Sequence, residues 1–307
     1  MSKRYVKQHI VPKRYLDRFA SNVKGKSIIG TRLNLNNRIR LFESVTSNVG
    51  YIDNFYDVYD KEDEKHWEKY FAKTFDYLCG EDLERIISKI TLSKDTAVVL
   101  DKNDKAILSR LIVAQMMRIP QSIDAASDIY HKTAENVKNE FLNAFPNNLK
   151  ERFGDQILKF ELAPQWIKED FFNKMFDPKN FDNICKILSE RIWVVYVNIH
   201  KNDMPFVTSD NPVLVESMNS KTTGIFNNSL SNVTTSIFFP LTPTIAVANY
   251  APNNTFLELI KYQIKDAKII IDDMPFVMSR NIKIISQAFR HSFIPQPVFS
   301  HLVNNNV

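Results

Sequence analysis

The side chains whose types and settings could do chemistry are few: His9, the pair Gln115 and Arg118, the run Ser209-Asp210-Asn211, and Glu68. His9 stands in Gln8-His9-Ile10-Val11-Pro12, ahead of Tyr15, Leu16 and Phe19, which share one helical face. Pro12 suits the first position of a helix, where a missing N–H costs nothing. The spacing predicts a helix opening at Pro12, with His9 just before it. Unpaired N–H groups at a helix start disfavour imidazolium, so a neutral His9 could act as base, metal ligand or hydrogen-bond partner.

Gln115 and Arg118 are three apart and share a face of a helix otherwise built from Leu111, Ile112, Ala114 and Met117. An arginine fork there could grip a phosphate or carboxylate, with Gln115 orienting a base or water; an internal salt bridge or helix cap is the plainer account. Arg290 invites the same two readings. Ser209-Asp210-Asn211 lies between a strand ending at Thr208 and the break at Pro212. Strand ends commonly present functional groups, although Asp and Asn are also favoured turn residues that bond their own backbone. Asn54, in Asn54-Phe55-Tyr56, could line a pocket with its aromatic neighbours, or those rings could be buried under a loop.

Glu68 is the best-placed carboxylate of the first half, beside Trp67 at the edge of an apolar stripe, where most glutamates are solvated. If Glu68 and Asp210 faced His9, they would form a hard-cation site compatible with Mg²⁺ or Mn²⁺. No local spacing demands that, since the chain has no H-E-x-x-H, D-x-D or paired-Cys motif. Absent too are a P-loop lysine motif, a G-x-G-x-x-G fingerprint and a G-x-S-x-G elbow, and 6 glycines leave little for a phosphate-cradling loop. A Walker-type NTPase, a Rossmann dehydrogenase and an α/β hydrolase are disfavoured. His66, His131, His200, His291 and His301 stand in charged or turn settings and read as surface residues.

The opening H-x-x-P-x-x-Y-L-x-x-F resembles that of the family called domain of unknown function 4238. Gln115-x-x-Arg118-x-Pro120, Thr208-Ser209-Asp210-Asn211-Pro212-Val213, Phe239-Pro240-Leu241-Thr242-Pro243, and Asn281 with Ala288-x-Arg290 follow in the right order. The resemblance implies a bacterial, soluble protein of a kind found in some cases among antiviral defence genes. It implies no chemistry.

The elements that must position these residues follow from composition and period. The 307 residues are 44% hydrophobic and 24% charged, enough for a substantial core, with no apolar run long enough to cross a membrane and no signal-peptide pattern after Met1. A cytoplasmic location is expected, with Cys79 and Cys185 as reduced core thiols. The net charge of +5, from 40 basic and 35 acidic residues, permits a polyanionic partner without requiring one. A hairpin is expected over about 27–42 and helical stretches over about 60–190, including 62–78, 82–90, 104–118 capped by Asp104, 122–145, 147–161, 165–176 and 179–190.

At Ile192 the period changes to strands. Residues 192–199 and 205–208 read as a hairpin, with further strands at 237–239, 244–248 and 268–271, a mobile polar loop over 217–236, and a closing helix over about 274–293. The expected architecture is one α+β domain spanning 1–307, a helical N-terminal half packed on a mainly antiparallel sheet from 191–272 plus the 27–42 hairpin.

Three functions fit these residues. The first is a defence enzyme, toxin-like, that cleaves a phosphodiester or glycosidic bond in nucleic acid or a nucleotide, with His9 as base, Asp210 as metal ligand or second acid–base group, and Arg118 opposing developing charge. Gln115 would assist catalysis, while Ser209, Asn211, Arg290 and Asn54 would hold substrate. The second is a module that senses a nucleotide or phage protein without breaking a bond. The third is a structural polar network. No membrane partner is expected, and oligomeric state is open.

Overall fold

The strand segments of the second half are apolar runs rather than alternations, as in Trp193-Val194-Val195 and Ile237-Phe238-Phe239, the pattern of strands covered on both faces. In the computed structural model, which describes residues 6–35, 38–58, 66–94, 99–144, 146–147, 159, 161–217, 230, 232–252, 266–296 and 298–304, both faces are indeed covered. The expected helix start at Glu62, most of the helix over 147–161 and the centre of the 217–236 loop lie outside the described residues.

The chain opens with β1 (Lys7–His9), a short helix α1 (Lys13–Leu16) continued by a 3-10 turn over Asp17–Phe19, then β2 (Ser21–Val23), β3 (Lys26–Leu35), β4 (Arg38–Val45) and β5 (Tyr51–Asp53). Helix α2 (His66–Phe71) runs on through a π turn over Ala72–Asp76, and α3 (Glu81–Leu92), α4 (Lys102–Met117), α5 (Pro120–Ala144), α6 (Pro164–Met175) and α7 (Pro178–Ser189) follow. The second half supplies β6 (Ile192–Asn198), β7 (Thr208–Ser209), β8 (Leu214–Ser217), β9 (Thr235–Pro240), β10 (Ile245–Tyr250), β11 (Lys268–Ile271), α8 (Met274–Ser286), β12 (His291–Ile294) and α9 (Val298–Asn304).

The larger sheet has the order β11-β6-β10-β9-β8, antiparallel except where β11 runs parallel to β6. Trp193, Val195, Ile237, Phe239 and Val247 point from one face into the helical layer, where Trp67, Phe71, Phe75, Phe172, Phe176 and Phe181 form an aromatic cluster. Leu214, Phe238, Ala246 and Ala248 point from the other into a second core with Val277 and Ile284 of α8 and Phe299 of α9. A second sheet joins β2, β3, β12 and β7, with β4 on the outer edge of β3. The fold is mixed α+β with mainly antiparallel strands.

Several local expectations change. Pro12 caps α1 rather than beginning it, and His9 ends a strand that pairs antiparallel with β5. Helix α4 begins one turn earlier than expected: Asp101 is its N-cap and Asp104, three residues on, returns a bond to the cap backbone. Residues 192–199 and 205–208 do not form a hairpin. The Asn281 side chain accepts from the Val207 N–H at 3.0 Å and donates to the Pro205 carbonyl at 2.7 Å, and Phe206 N–H donates to Pro243. With its backbone groups so occupied, this segment leads into β7, which pairs with β12 in the other sheet. The closing helix stops at Ser286, and Phe293, fully buried, belongs to β12. Strands β1, β2, β5 and β8 were not anticipated.

The N-terminal stretch is bolted to the C-terminal half. Tyr15, Leu16 and Phe19 are buried, and the Tyr15 hydroxyl donates to the Pro240 carbonyl at 2.7 Å and lies 2.8 Å from Thr208 Oγ1. Phe19→Ala should therefore lower unfolding free energy by about 3–5 kcal/mol. Tyr15→Phe, which strands a buried carbonyl and hydroxyl, should lower it by about 1–3 kcal/mol. Urea melts of both variants check this, and a midpoint unchanged in Phe19→Ala would show the opening segment to be a dispensable tail.

Candidate functional site

Strand β1 carries alternate residues to opposite sides, so Gln8 and His9 enter different surroundings. Gln8 is fully buried, with its carbonyl oxygen accepting from the Tyr56 N–H at 2.5 Å and its amide donating to Asp57 Oδ1 at 2.7 Å, with Glu68 Oε2 at 3.5 Å. Close by, Lys168 donates to the Phe55 carbonyl, and burial lowers its pKa against the pull of Asp57. The Tyr56 hydroxyl donates to the His9 carbonyl at 3.1 Å, and burial raises its pKa.

The His9 ring is partly buried, and its Nε2 is enclosed with no hydrogen-bond partner among the described residues. Burial lowers its pKa first; Asp76 and a hydrogen bond to the Thr46 backbone oppose that, and Arg118 and Lys13 add to it. The expected neutrality is present, but desolvation is its leading cause rather than a helix terminus.

Gln115 and Arg118 come to the same place. The Gln115 amide donates to the Ile10 carbonyl at 2.9 Å, and its oxygen accepts from Arg118 Nη2 at 3.3 Å. Arg118, 1% exposed, also gives Nη1 to Asp76 Oδ1 at 2.7 Å and lies over the Phe71 ring at 5.5 Å. Asp76 closes the π turn after α2 and keeps 30% of its side chain exposed. It is thus the group through which this buried charge meets solvent. Asp76 was not anticipated, because a π insertion rotates the following residues out of the 3.6 period that a sequence pattern tests.

Asp210 is occupied elsewhere. Its two oxygens accept from three consecutive backbone N–H groups, Phe289 at 2.7 Å, Arg290 at 2.8 Å and His291 at 2.7 Å, and its own N–H donates to the His291 carbonyl. The carboxylate thus turns the chain from α8 into β12. Ser209 and Asn211 close a small turn on each other, and Asn211 exchanges bonds with Gln287. Asn54, in the left-handed region at φ 54°, accepts from the Val6 N–H and ends the β1–β5 ladder. Arg290 is exposed, its guanidinium over the Phe289 ring. His291, expected at the surface, keeps 20% of its side chain exposed and stacks on Phe293.

The structure brings together His9, Gln115 and Arg118, adds Asp76, and sets Glu68 on the far side of β1. Among the described residues no group of three or more His, Cys, Asp or Glu side chains is arranged to hold a metal ion. None of the described helices is long and apolar enough to cross a membrane. Cys79 and Cys185 are free and buried, and burial pushes both thiols up to about 12. Cys79 stands between two spaces: a cavity of about 10 Å³ against Gln115 and Arg118, and an open groove of about 660 Å³ bordered by Arg14, Arg18, Gly80 and Arg85.

Two outcomes follow. Asp210→Ala leaves three backbone donors without their acceptor and should cost about 3 kcal/mol or more in denaturant melts; a loss below about 1 kcal/mol would show that the clamp does not hold β12. For His9, the folded pKa lies below the ordinary 6.5, so the unfolded chain binds the proton more readily. Its contribution to stability is complete above 6.5 and is lost as pH falls below that value. The melting temperature should drop as pH falls below about 6.5, and His9→Gln should flatten the drop.

A family model described as Protein of unknown function (DUF4238) matches residues 7–287. No curated protein matches the chain, and no solved structure does.

Proposed function

The chain belongs to the DUF4238 family, and on that premise we propose that it is an acid–base enzyme of antiviral defence that cleaves a phosphodiester or glycosidic bond in nucleic acid or a nucleotide. The observation that carries this reading is the His9 ring: held neutral by burial, its Nε2 without a partner among the described residues, and set against the partly exposed Asp76. A neutral imidazole with a free nitrogen is equipped to take a proton from an attacking water or hydroxyl, and Asp76 favours the imidazolium so formed. Arg118 and Gln115 act here as positioning residues, since both are enclosed and hold Asp76 and the Ile10 backbone. Approach to Nε2 requires the surrounding side chains to shift on binding. The defence setting rests on the family resemblance of the signature residues.

A second reading, a non-catalytic module or purely structural network, is favoured by one specific observation: the hydrogen-bonding capacity of Asp210, Gln115 and Asn281 is directed at backbone groups of other segments. One experiment separates the two. Wild type, His9→Gln and Asp76→Asn are incubated with labelled RNA, DNA and common nucleotides, with and without Mg²⁺ or Mn²⁺, beside thermal melts. Catalysis predicts cleavage by wild type, reduced by about 10²–10⁴-fold in His9→Gln with the thermal transition retained. Equal cleavage by His9→Gln would overturn the role of His9, and no cleavage with any substrate, together with a large loss of stability in both variants, would leave the network.

A further inference from the structure

His9 is held from several sides before its ring chemistry is considered. Its backbone pairs with Tyr51 of β5, its carbonyl accepts from the Tyr56 hydroxyl at 3.1 Å, and its ring meets that of Tyr51 edge-on with centroids 6.1 Å apart. What these contacts leave open is which of the two ring nitrogens carries the proton in the neutral form. That choice decides the chemistry, because only an unprotonated nitrogen can act as a base.

The turn after β4 bears on it directly. Thr46, fully buried, opens a 3-10 turn over Thr46–Asn48 that lies along β1. Asn48 Oδ1 accepts from Lys7 Nζ at 3.1 Å, and the Gly50 carbonyl accepts from the Ile10 N–H at 3.0 Å and the Val11 N–H at 3.2 Å. Residues 46–50 are thus tied to the chain on both sides of His9. Between these anchors the His9 ring donates to the Thr46 backbone. Since Nε2 has no partner among the described residues, the donor is Nδ1. The Thr46 carbonyl otherwise takes only a long bond, 3.5 Å, from the Val49 N–H, which leaves it a lone pair for the imidazole.

Thr46 is steered in turn. Its hydroxyl donates to Asp17 Oδ1 at 2.5 Å, and Asp17 Oδ2 takes Lys13 Nζ at 2.7 Å. A chain of contacts therefore runs from Lys13 and Asp17, on α1 and its 3-10 continuation, through Thr46 to the imidazole. A free neutral histidine side chain favours the proton on Nε2, so a proton kept on Nδ1 needs an acceptor aimed at it.

We propose that Thr46 and Asp17 are positioning residues for His9: the Thr46 carbonyl holds the ring proton on Nδ1, the Asp17 carboxylate fixes Thr46 through its hydroxyl, and the lone pair of Nε2 is thereby kept free to take a proton. The use of that lone pair rests on the reading of His9 as a base given above; the tautomer does not.

The test is the long-range ¹H–¹⁵N spectrum of the histidine rings in wild type, Thr46→Val, Thr46→Ser and Asp17→Ala, at a pH where His9 is neutral, with His9→Gln to assign the signals and a thermal melt beside each spectrum. Wild type should show His9 with a protonated Nδ1 and an unprotonated Nε2. Thr46→Val and Asp17→Ala should each lower the ratio of Nδ1–H to Nε2–H by about threefold to tenfold, the weight of one ordinary hydrogen bond. Thr46→Ser, which keeps the hydroxyl, should retain the wild-type pattern. A proton on Nε2 in wild type would overturn the assignment, and that measurement needs no variant to fold. A purely structural Thr46 would lower the melting temperature of Thr46→Val without moving the tautomer, and that result would overturn the positioning role. A proton fixed on Nδ1 through Thr46, with no cleavage of any nucleic acid or nucleotide, removes the catalytic reading and leaves this one standing; His9-dependent cleavage with the resting proton on Nε2 does the reverse.

Discussion

Arg118 carries a permanent charge into a site that leaves it 1% exposed, and much of the N-terminal architecture is arranged by what that charge needs. A buried guanidinium without partners would be prohibitively destabilising, so acceptors have to be brought to it. Asp76 is delivered by a π turn and Gln115 by the preceding turn of α4, while the Phe71 ring offers its face. Gln115 then donates its amide to the Ile10 carbonyl, which fixes the residue that follows β1 and His9. The environment of the imidazole follows from these constraints: the same burial that forces Arg118 to pair also depresses the His9 pKa.

The remaining signature residues obey the same rule in a different place. Asp210 gathers three backbone donors at the entry to β12, Asn281 satisfies both backbone groups around Phe206, and Tyr15 reaches the Pro240 carbonyl. Each uses one polar side chain to join segments far apart in sequence, at a point where the backbone leaves regular structure and would otherwise bury unpaired groups. Such residues are as intolerant of substitution as catalytic ones. A signature assembled from them therefore marks where the fold is tied; His9 adds a ring nitrogen without a partner among the described residues, and Asp76 adds access to solvent.

How much of this was legible in the sequence depends on the range of the interaction that decides each feature. The apolar face of Tyr15, Leu16 and Phe19, the β3–β4 hairpin, the helical half and the strands at Ile192, Ile237 and Lys268 are set by local period, and they stand where period places them. The cap of α4 moved from Asp104 to Asp101 because both residues serve the same terminus, one as cap and one as its reciprocal partner. The false hairpin at 192–208 and the overlong last helix failed for a different reason: Asn281 and Asp210 redirect backbone groups some 75 to 80 residues away, which no local window contains. Gln115 and Arg118 could be singled out as long polar groups on an apolar helix. Their partner Asp76 could not, since a π turn leaves no compositional trace.

The bond from Tyr15 to Pro240 spans 225 residues, and Asp210 reaches its donors only once residues 289–291 exist. A ribosome adding about 5–20 residues per second needs on the order of ten seconds or more to cover that interval. During it the opening helix lacks the second-half carbonyl to which Tyr15 donates. Non-local closure of this kind slows folding and leaves part of the N-terminal apolar face uncovered by the second half while the chain is nascent. It also means that a product truncated before Pro240 lacks the carbonyl that ties Tyr15 to the second half.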